Sequence, residues 1–467
     1  MIKPSSLLRC TYALCCLFVV SSCSTISETD AVTPDVAIPD NWQSLTVTQE
    51  VKIDPWWERF NDSELNTLIE HVLTANNDLA VATLTLKSAR LKAGLTEAEG
   101  SFQLSSNSNA GRTTSLDSNA YSNTFNTDLS ISYELDLWGR VASEVDAAQW
   151  TSLANEEDRE STAQSLASTT ASLYWQIGYL KQSLALGQAN IDYAKQSLAL
   201  IESQYRSGAV TKLDIFESQR NLAEQEVAYS KLQQQLVEAQ NGLAILFNQP
   251  PTKMQLSIKQ LPDGPIPTIA AGVPSDILIR RPDVKSALYS LQAAYSIKDA
   301  TYSSYLPTLT LSGAVGSSSE QLKNLLSNPV GTLGANLILP FLQWNEMKLN
   351  KKLSEIDVQS AIINYRQTLY TSFSEVDNAI SARQHYQYQG TKLAEQYNAA
   401  NAAEKIYASQ YRYGAIGIQD WLDAQDSLRL TEQAILDNRF NQFNIQATLY
   451  QALGGSDIAP DVVNEEE

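Results

Sequence analysis

Two acidic pairs recur at the same point of a repeated segment. A stretch of 17 residues that begins at Ser203 returns 206 positions later with eight residues identical. The first copy carries Asp214 and Glu217, and the second carries Asp420 and Asp423. Carboxylates that crowd a narrow opening attract cations, and their mutual repulsion raises some of their pKa values. The same residues would also stabilise the start of a helix, by about 0.3–1 kcal/mol each, and the residues alone favour this second interpretation.

Other residue types give no support for catalysis or metal binding. His71 and His385 lie on predicted helices without partners at the spacing of metal ligands. The chain has neither a glycine-rich phosphate loop nor a Gly-x-Ser-x-Gly elbow. All four cysteines occur in the first 23 residues, as Cys10, Cys15, Cys16 and Cys23. Without this segment the chain has no cysteine pair for a disulfide or a thiolate metal site, so the sequence predicts no enzyme activity, no metal and no other cofactor.

The charge balance argues against nucleic acid as a partner. Lys and Arg number 33 against 52 Asp and Glu, which gives a formal net charge of −19 at pH 7. Contacts with phosphate groups need a basic surface, and here the acidic residues are spread along the chain. We interpret the acidity as a solvated surface.

The first 23 residues have the features of a targeting segment. Two cationic residues precede an apolar run from Tyr12 to Val20, which is too short to span a membrane as a helix. The run ends in Val-Ser-Ser-Cys23, which resembles the lipobox of bacterial lipoproteins. The resemblance implies a signal peptide over residues 1–22, lipidation of Cys23 and, because residue 24 is Ser, sorting to the outer membrane. The alternative is an ordinary secretory signal in which the cysteine occurs by chance.

Proline placement predicts long helices. None occurs between Trp56 and Gln249 or between Phe341 and Ala459, and both stretches are rich in residues that favour helix. Residues 141–204 and their copy, residues 347–410, are each 64 residues long, and each would be about 96 Å long as an unbroken helix. Each copy is followed by a Tyr-Arg-x-Gly-Ala turn and a return helix. The predicted helices are 62–99, 141–204 with a return helix to about 247, 283–305, and 347–410 with a return helix to about 453.

Four short segments between the helices have a different pattern. Residues 125–138 alternate between apolar and polar side chains, which is the period of a strand with one apolar face. Each half of the chain then holds one β-hairpin, at about 101–138 and 305–344. A tilted strand needs about 9–11 residues to cross a bilayer. The alternative is a pair of soluble hairpins packed on the helices. Residues 305–316 alternate similarly, residues 333–344 are mixed but strand-like, and residues 101–112 give a weaker strand pattern rich in Ser and Asn.

Strands that cross a membrane would require an assembly of several chains. A sheet exposed to lipid cannot leave an open edge, because each unpaired backbone group in hydrocarbon costs several kcal/mol. A closed barrel needs about eight strands or more, and one chain supplies four. A cyclic trimer would supply twelve strands and leave a wide lumen, and on this reasoning alone a dimer also stays open.

Several strings of residues are similar to those of a known family. The chain resembles the outer membrane efflux protein family, the TolC-type channel-tunnels, and within it the lipoprotein branch that serves resistance–nodulation–division (RND) pumps. The resemblance runs from about residue 38 to 455. It rests on the strings 56–65 (WWERFNDSEL), 77–79 (NDL), 133–140 (YELDLWGR), 273–284 (VPSDILIRRPDV) and 422–425 (LDAQ).

The resemblance implies a mainly α fold with a membrane β-barrel. A homotrimer would form a 12-stranded outer-membrane barrel continuous with a long periplasmic α-helical barrel, plus a mixed α/β equatorial domain. The implied partners are a periplasmic adaptor (membrane fusion) protein, an inner-membrane RND-type transporter and outer-membrane lipid. The predicted segments are a signal peptide at 1–22, a lipidated extended segment at 23–55, structural repeats at 56–249 and 275–455, a linker at 250–274 and an acidic tail at 456–467.

The resemblance also implies a role for the acidic pairs. By motif, Asp420 and Asp423 match the acidic rings that constrict the periplasmic end of the channel in this family, and Asp214 occupies the matching position of the first half. The resemblance reverses the helix-start interpretation for Asp420 and Asp423 but not for Glu217. Ile416 stands where some members carry an arginine that ties the gate shut, so closure must differ here.

The predicted function is that of a passive trimeric conduit. It would be the outer-membrane exit channel of a tripartite efflux system that exports drugs or other small toxic molecules. Two alternatives stay open: an exit duct for type I protein secretion, and a lipid-anchored periplasmic scaffold without a pore. The sequence does not identify the cargo, because cargo is selected upstream of such a channel.

Overall fold

The structure, a computed structural model, describes residues 37–39, 42, 55–117, 120–251, 256–267 and 280–455. The predicted signal peptide, Cys23, most of the extended segment, much of the linker and the acidic tail lie outside the described residues. The strands are β1 Gln103–Thr114, β2 Tyr121–Leu135, β3 Thr308–Ser319 and β4 Pro329–Ile338. The α-helices of the described ranges are α1 Ser63–Ala75, α2 Asn77–Glu99, α3 Arg140–Arg206, α4 Lys212–Leu246, α5 Pro282–Ser303, α6 Trp344–Arg412 and α7 Ile418–Ala452.

The two longest helices, α3 and α6, extend beyond their predicted ends by at most three residues. Both stop at a glycine with positive φ, 78° at Gly208 and 71° at Gly414. In each copy the glycine N–H donates three residues back, and the next N–H donates five residues back, at 2.9–3.0 Å. This is the Schellman arrangement, which satisfies the last carbonyls of a helix and turns the chain. The repeated Gly-Ala dipeptide therefore ends both helices in the same way.

The single helix predicted over 62–99 is wrong, because the structure has two helices there. Asn76 separates them with an extended backbone, at φ −71° and ψ 133°. Its Oδ1 accepts from the backbone N–H of Asp78 at 2.9 Å and of Leu79 at 3.2 Å, so it caps the second helix. Its Nδ2 donates to the carbonyl of Leu246 at 3.0 Å, which holds the break against the end of α4.

The described chain divides into two compact units that do not coincide with the repeats. Of the described residues, those within Thr85–Asn155 and Ser286–Arg366 form one unit, and those within Ala37–Leu84, Glu156–Lys285 and 367–455 form the other. Each unit takes segments from both halves of the chain. A repeat is therefore not a compact body by itself, and the halves are interleaved in both units.

The first unit contains one antiparallel sheet in the order β1-β2-β3-β4. Both hairpins contribute to it, because β2 of the first half pairs with β3 of the second, with Phe125 opposite Ser319. The predicted strand over 333–344 begins and ends earlier, at Pro329 and Ile338. The strand cannot continue through Pro340, because proline has no N–H for the ladder, and a short 3-10 helix begins there. The strands β1 and β4 form the two edges of the sheet.

The second unit is built around an aromatic core. Trp175 is fully buried, and its ring lies 4.8 Å from that of Phe60 and 5.1 Å from that of Phe443. Trp56 stacks on Tyr450 at 5.3 Å between ring centroids. These side chains come from the short 3-10 helix Trp56–Phe60 and from α3 and α7, so they pack both halves into one core.

A half-buried carboxylate docks part of the linker onto α1. Glu64 accepts hydrogen bonds from the backbone N–H and the hydroxyl of Ser257, at 2.7 and 2.8 Å, and from the Ile258 N–H at 3.2 Å. The Tyr174 hydroxyl donates to it at 3.1 Å. Burial opposes ionisation, but these donors outweigh it and lower the pKa of Glu64.

None of the helices in the described ranges combines the length and the apolar character that a membrane-spanning helix requires.

The Glu64 contact predicts a pH-dependent contribution to stability. Because its pKa is lowered on folding, the contribution is present above the usual value of 4.5 and is lost as the pH falls through the folded pKa. At pH 7 the variant Glu64→Gln is expected to lower the free energy of unfolding by about 1 kcal/mol. Denaturation at several pH values checks this, with exposed Glu70→Gln on the same helix as the control. A gap between wild type and Glu64→Gln that stayed constant down to pH 3 would contradict it.

Candidate functional site

The two acidic pairs lie just after the turns that follow the longest helices. Asp214 and Glu217 stand in the first turns of α4, and Asp420 and Asp423 stand in the first turns of α7. All four belong to the second unit. The repeated sequence thus builds two helix–turn–helix hairpins with acids at matching points.

The two hairpins share one apolar cluster near these turns. Its buried members come from α3, α6 and α7. The partly buried residues packed against it include Val210 of the first turn, Ile215 of α4 and Ile416 of the second turn. The apolar Ile416 side chain therefore contributes packing where an arginine would contribute charge. The buried members are Ile201, Ala408, Tyr411, Ile418, Trp421 and Leu422.

Asp214 acts as a helix cap. Its Oδ2 accepts from the backbone N–H of Thr211 at 2.7 Å and from the Thr211 hydroxyl at 2.5 Å. Thr211 is the residue that precedes α4, so this carboxylate closes the N-terminus of the helix. For Asp214, the geometry therefore agrees with the interpretation that this residue stabilises the start of a helix.

Asp420 and Asp423 have a different setting. Gly417 precedes α7 and offers no side chain to cap it. Both aspartates are exposed, and they lie three residues apart, which places them on one face of the helix. Asp423 accepts a 2.6 Å hydrogen bond from Gln419 on the same helix. The structure therefore presents two solvent-facing carboxylates on the second hairpin. In the first hairpin, Asp214 is instead hydrogen-bonded at the start of its own helix.

Glu404, which is buried behind this turn, is not predicted as a site residue from the sequence. Trp421 lies between the two aspartates and donates its indole N–H to Glu404 Oε1 at 3.0 Å. Glu404 belongs to no recognisable motif, and its partners are distant in sequence. A comparison of the repeats was the signal that could have found it, because the matching position of the first repeat is Leu198.

A second feature with functional meaning is the sheet of the first unit. One face carries exposed apolar residues from all four strands, and Gly313 lies between Ile131 and Leu333 on that face. The other face carries polar pairs, such as Ser105 with Ser130 at 2.7 Å and Ser318 with Asn126 at 3.0 Å. The exposed apolar residues include Leu104, Leu129, Ile131, Leu311, Val315, Leu333 and Leu337. A sheet with one apolar face and two open edges is incomplete as a soluble structure.

Comparisons with known proteins agree with this geometry. The model of the outer membrane efflux protein family matches residues 68–249 and 273–455. The pyoverdine export outer membrane protein OpmQ of Pseudomonas putida is 29% identical over 464 residues, 95% of this chain and 97% of its own. The toxin and drug export protein A of Aggregatibacter actinomycetemcomitans is 26% identical over 417 residues, 89% and 91% of the two chains.

The fold is also that of solved outer membrane channels. The open state of the MtrE channel of Neisseria gonorrhoeae aligns with a TM-score of 0.80 at 26% identity, over 91% of this chain and 97% of that one. The predicted fold class and the predicted resemblance are thereby confirmed.

The capping role of Asp214 predicts a non-additive double mutant. Asp214→Ala and Thr211→Ala are each expected to lower the free energy of unfolding by about 1 kcal/mol, because either change breaks the same cap. The double variant should lose little more than one single variant. Denaturant titration of the four proteins measures this, with Glu217→Ala as the control acid one turn later. Two fully additive losses would show that the residues do not act as one cap.

Proposed function

Because the chain belongs to the outer membrane efflux protein family, we propose that it is the outer-membrane exit channel of a tripartite efflux system. The chain is an outer-membrane protein, as the family and its solved structures are. It acts as a passive conduit, and the energy for transport comes from its partners. No step of this function requires a catalytic residue.

The observation that carries this proposal is the open, one-sided apolar sheet. Its edge strands β1 and β4 expose backbone groups that need partners, and its apolar face suits hydrocarbon. Three copies joined edge to edge supply twelve strands, enough for a barrel with a water-filled lumen. We therefore propose a homotrimer that spans the outer membrane by pooled strands.

The turns of the helical hairpins suit a protein partner. Leu213, Phe216 and Tyr413 are exposed at or next to the two turns. Large exposed apolar side chains grouped near one another favour a docking surface. A periplasmic adaptor would bind here and link the channel to an inner-membrane RND-type transporter.

The exposed carboxylates of the second hairpin suit a gate. In a trimer, three copies of Asp420 and of Asp423 face the threefold axis and form two acidic rings. Such rings favour cations and oppose close approach unless protons or ions screen them. Asp214 contributes to this gate indirectly, by fixing the start of α4.

The N-terminal segment suits a lipid anchor. The proposed signal peptide over 1–22 is removed, and Cys23 becomes the acylated first residue of the segment that leads into the first repeat. Acylation adds membrane affinity through burial of the acyl chains. It would hold each chain at the outer membrane in addition to the barrel.

The cargo class follows the related proteins, which are named for export of small molecules such as pyoverdine and drugs. We propose small toxic molecules as cargo. The toxin named in one relative favours a second candidate, an exit duct for protein secretion. A deletion strain that loses a secreted protein but gains no sensitivity to small toxic compounds would support that second candidate.

Ion conduction tests the proposed channel and its gate. Purified full-length protein in a planar bilayer is expected to conduct and to prefer cations. The variant that combines Asp420→Asn and Asp423→Asn should lower the cation-to-anion permeability ratio roughly twofold or more, because two rings lose their charge. Exposed Glu238→Gln, on α4, serves as the matched control.

The possible results separate the parts of this proposal. Folded, membrane-inserted protein that never conducts would contradict the channel and favour a scaffold. Conduction with an ion preference that the two substitutions leave unchanged would contradict the gate assignment alone.

A further inference from the structure

A buried carboxylate joins three helices directly behind the acidic turn of the second hairpin. Glu404, on α6, is only 9% exposed. Its Oε1 accepts from the hydroxyl of Tyr193, on α3, at 2.6 Å, and from the indole N–H of Trp421, on α7, at 3.0 Å. One oxygen atom therefore binds side chains from both neighbouring helices.

Trp421 transmits this contact to the acidic turn, because it stands between Asp420 and Asp423 in the chain. Its ring stacks on that of Tyr411 with 5.1 Å between centroids, and it meets the ring of Tyr193 edge-on at 6.4 Å. The indole is buried, whereas the two carboxylates are exposed. The buried indole thus anchors the start of α7, the helix that carries both carboxylates.

The first repeat has no equivalent of this polar contact. A shift of 206 positions places Leu198 at the position of Glu404 and Ile215 at that of Trp421. The first hairpin nevertheless forms the same pair of helices with the same glycine-ended turn. A hairpin of this kind therefore forms in the first repeat without such a polar contact, and its presence in one repeat only indicates an additional role.

Separating the helices at this point is unfavourable. A buried carboxylate has lost its hydration and depends on donors within the protein. Burial, together with the bond to Glu404, raises the pKa of Tyr193, so the phenol keeps the proton that it donates. Movement of α7 away from α3 and α6 would remove the Trp421 donor from Glu404 until water replaced it.

We propose that Glu404 is a positioning residue that holds the acidic turn in the closed channel. It fixes Trp421, and through it Asp420 and Asp423, while the first hairpin stays capped by its own aspartate. Opening requires the Glu404 contact to break on the second hairpin. This inference rests on the proposed function and adds to it the contact that determines which hairpin moves.

Matched variants of the full-length protein in planar bilayers test this role. Glu404→Leu introduces the residue that the first repeat carries, and Trp421→Phe keeps an aromatic ring but removes the donor. Glu404→Gln keeps an acceptor oxygen. Glu395→Leu is the matched control, because Glu395 lies on the same helix and is exposed.

Glu404→Leu is expected to increase the open fraction of the channel about tenfold, because a hydrogen-bonded contact to a charged group is lost. Its cation preference should fall, since the carboxylates move apart. Trp421→Phe should show a smaller increase, and Glu404→Gln and Glu395→Leu should resemble wild type. If Glu404→Leu does not fold, Tyr193→Phe removes the other donor and should also increase opening.

Two results would overturn the inference. Folded Glu404→Leu with a lower unfolding midpoint but wild-type conductance and ion preference would show a role in stability only. In that case a changed ion preference in the Asp420 and Asp423 variant would leave the proposed channel and gate intact. Protein that conducts in none of its forms would overturn the inference and the proposed function together.

Discussion

The unpaired edges of the four-stranded sheet are the constraint on which the rest of this protein depends. Each edge presents backbone N–H and C=O groups that hydrocarbon cannot satisfy, and the apolar face makes hydrocarbon the natural surroundings. One chain cannot close the sheet, because four strands are too few. The proposed assembly of several copies, and with it a lumen, follows because the two edge strands need partner strands that one chain does not supply.

The duplicated halves meet this constraint with near symmetry but differ where movement would occur. Both long helices end in a glycine turn of the same kind, and both helical hairpins contribute side chains to the same apolar cluster. The first hairpin uses Asp214 as a helix cap, while the second leaves Asp420 and Asp423 free to face solvent. Packing thus needs the repeat, and the proposed gate needs the difference between its copies.

Local patterns predicted most of the elements, and long-range contacts account for what they missed. The absence of proline located the long helices, and the alternation around Leu129 located β2, because both signals act within one element. The break at Asn76 was missed, because asparagine disfavours helix only moderately and the contact that holds the break is with the distant end of α4. Glu404 was missed because its role depends on Tyr193, which is 211 residues away in sequence.

The number of chains in the assembled protein tests the central claim most directly. Native mass spectrometry of the full-length protein, extracted from the outer membrane in mild detergent, counts the chains without assuming a function. Three chains per complex, with no stable single chain, is the result that edge-to-edge closure of four-stranded sheets predicts. A stable monomer that remains folded in the membrane would contradict it, since its sheet would keep two open edges in hydrocarbon.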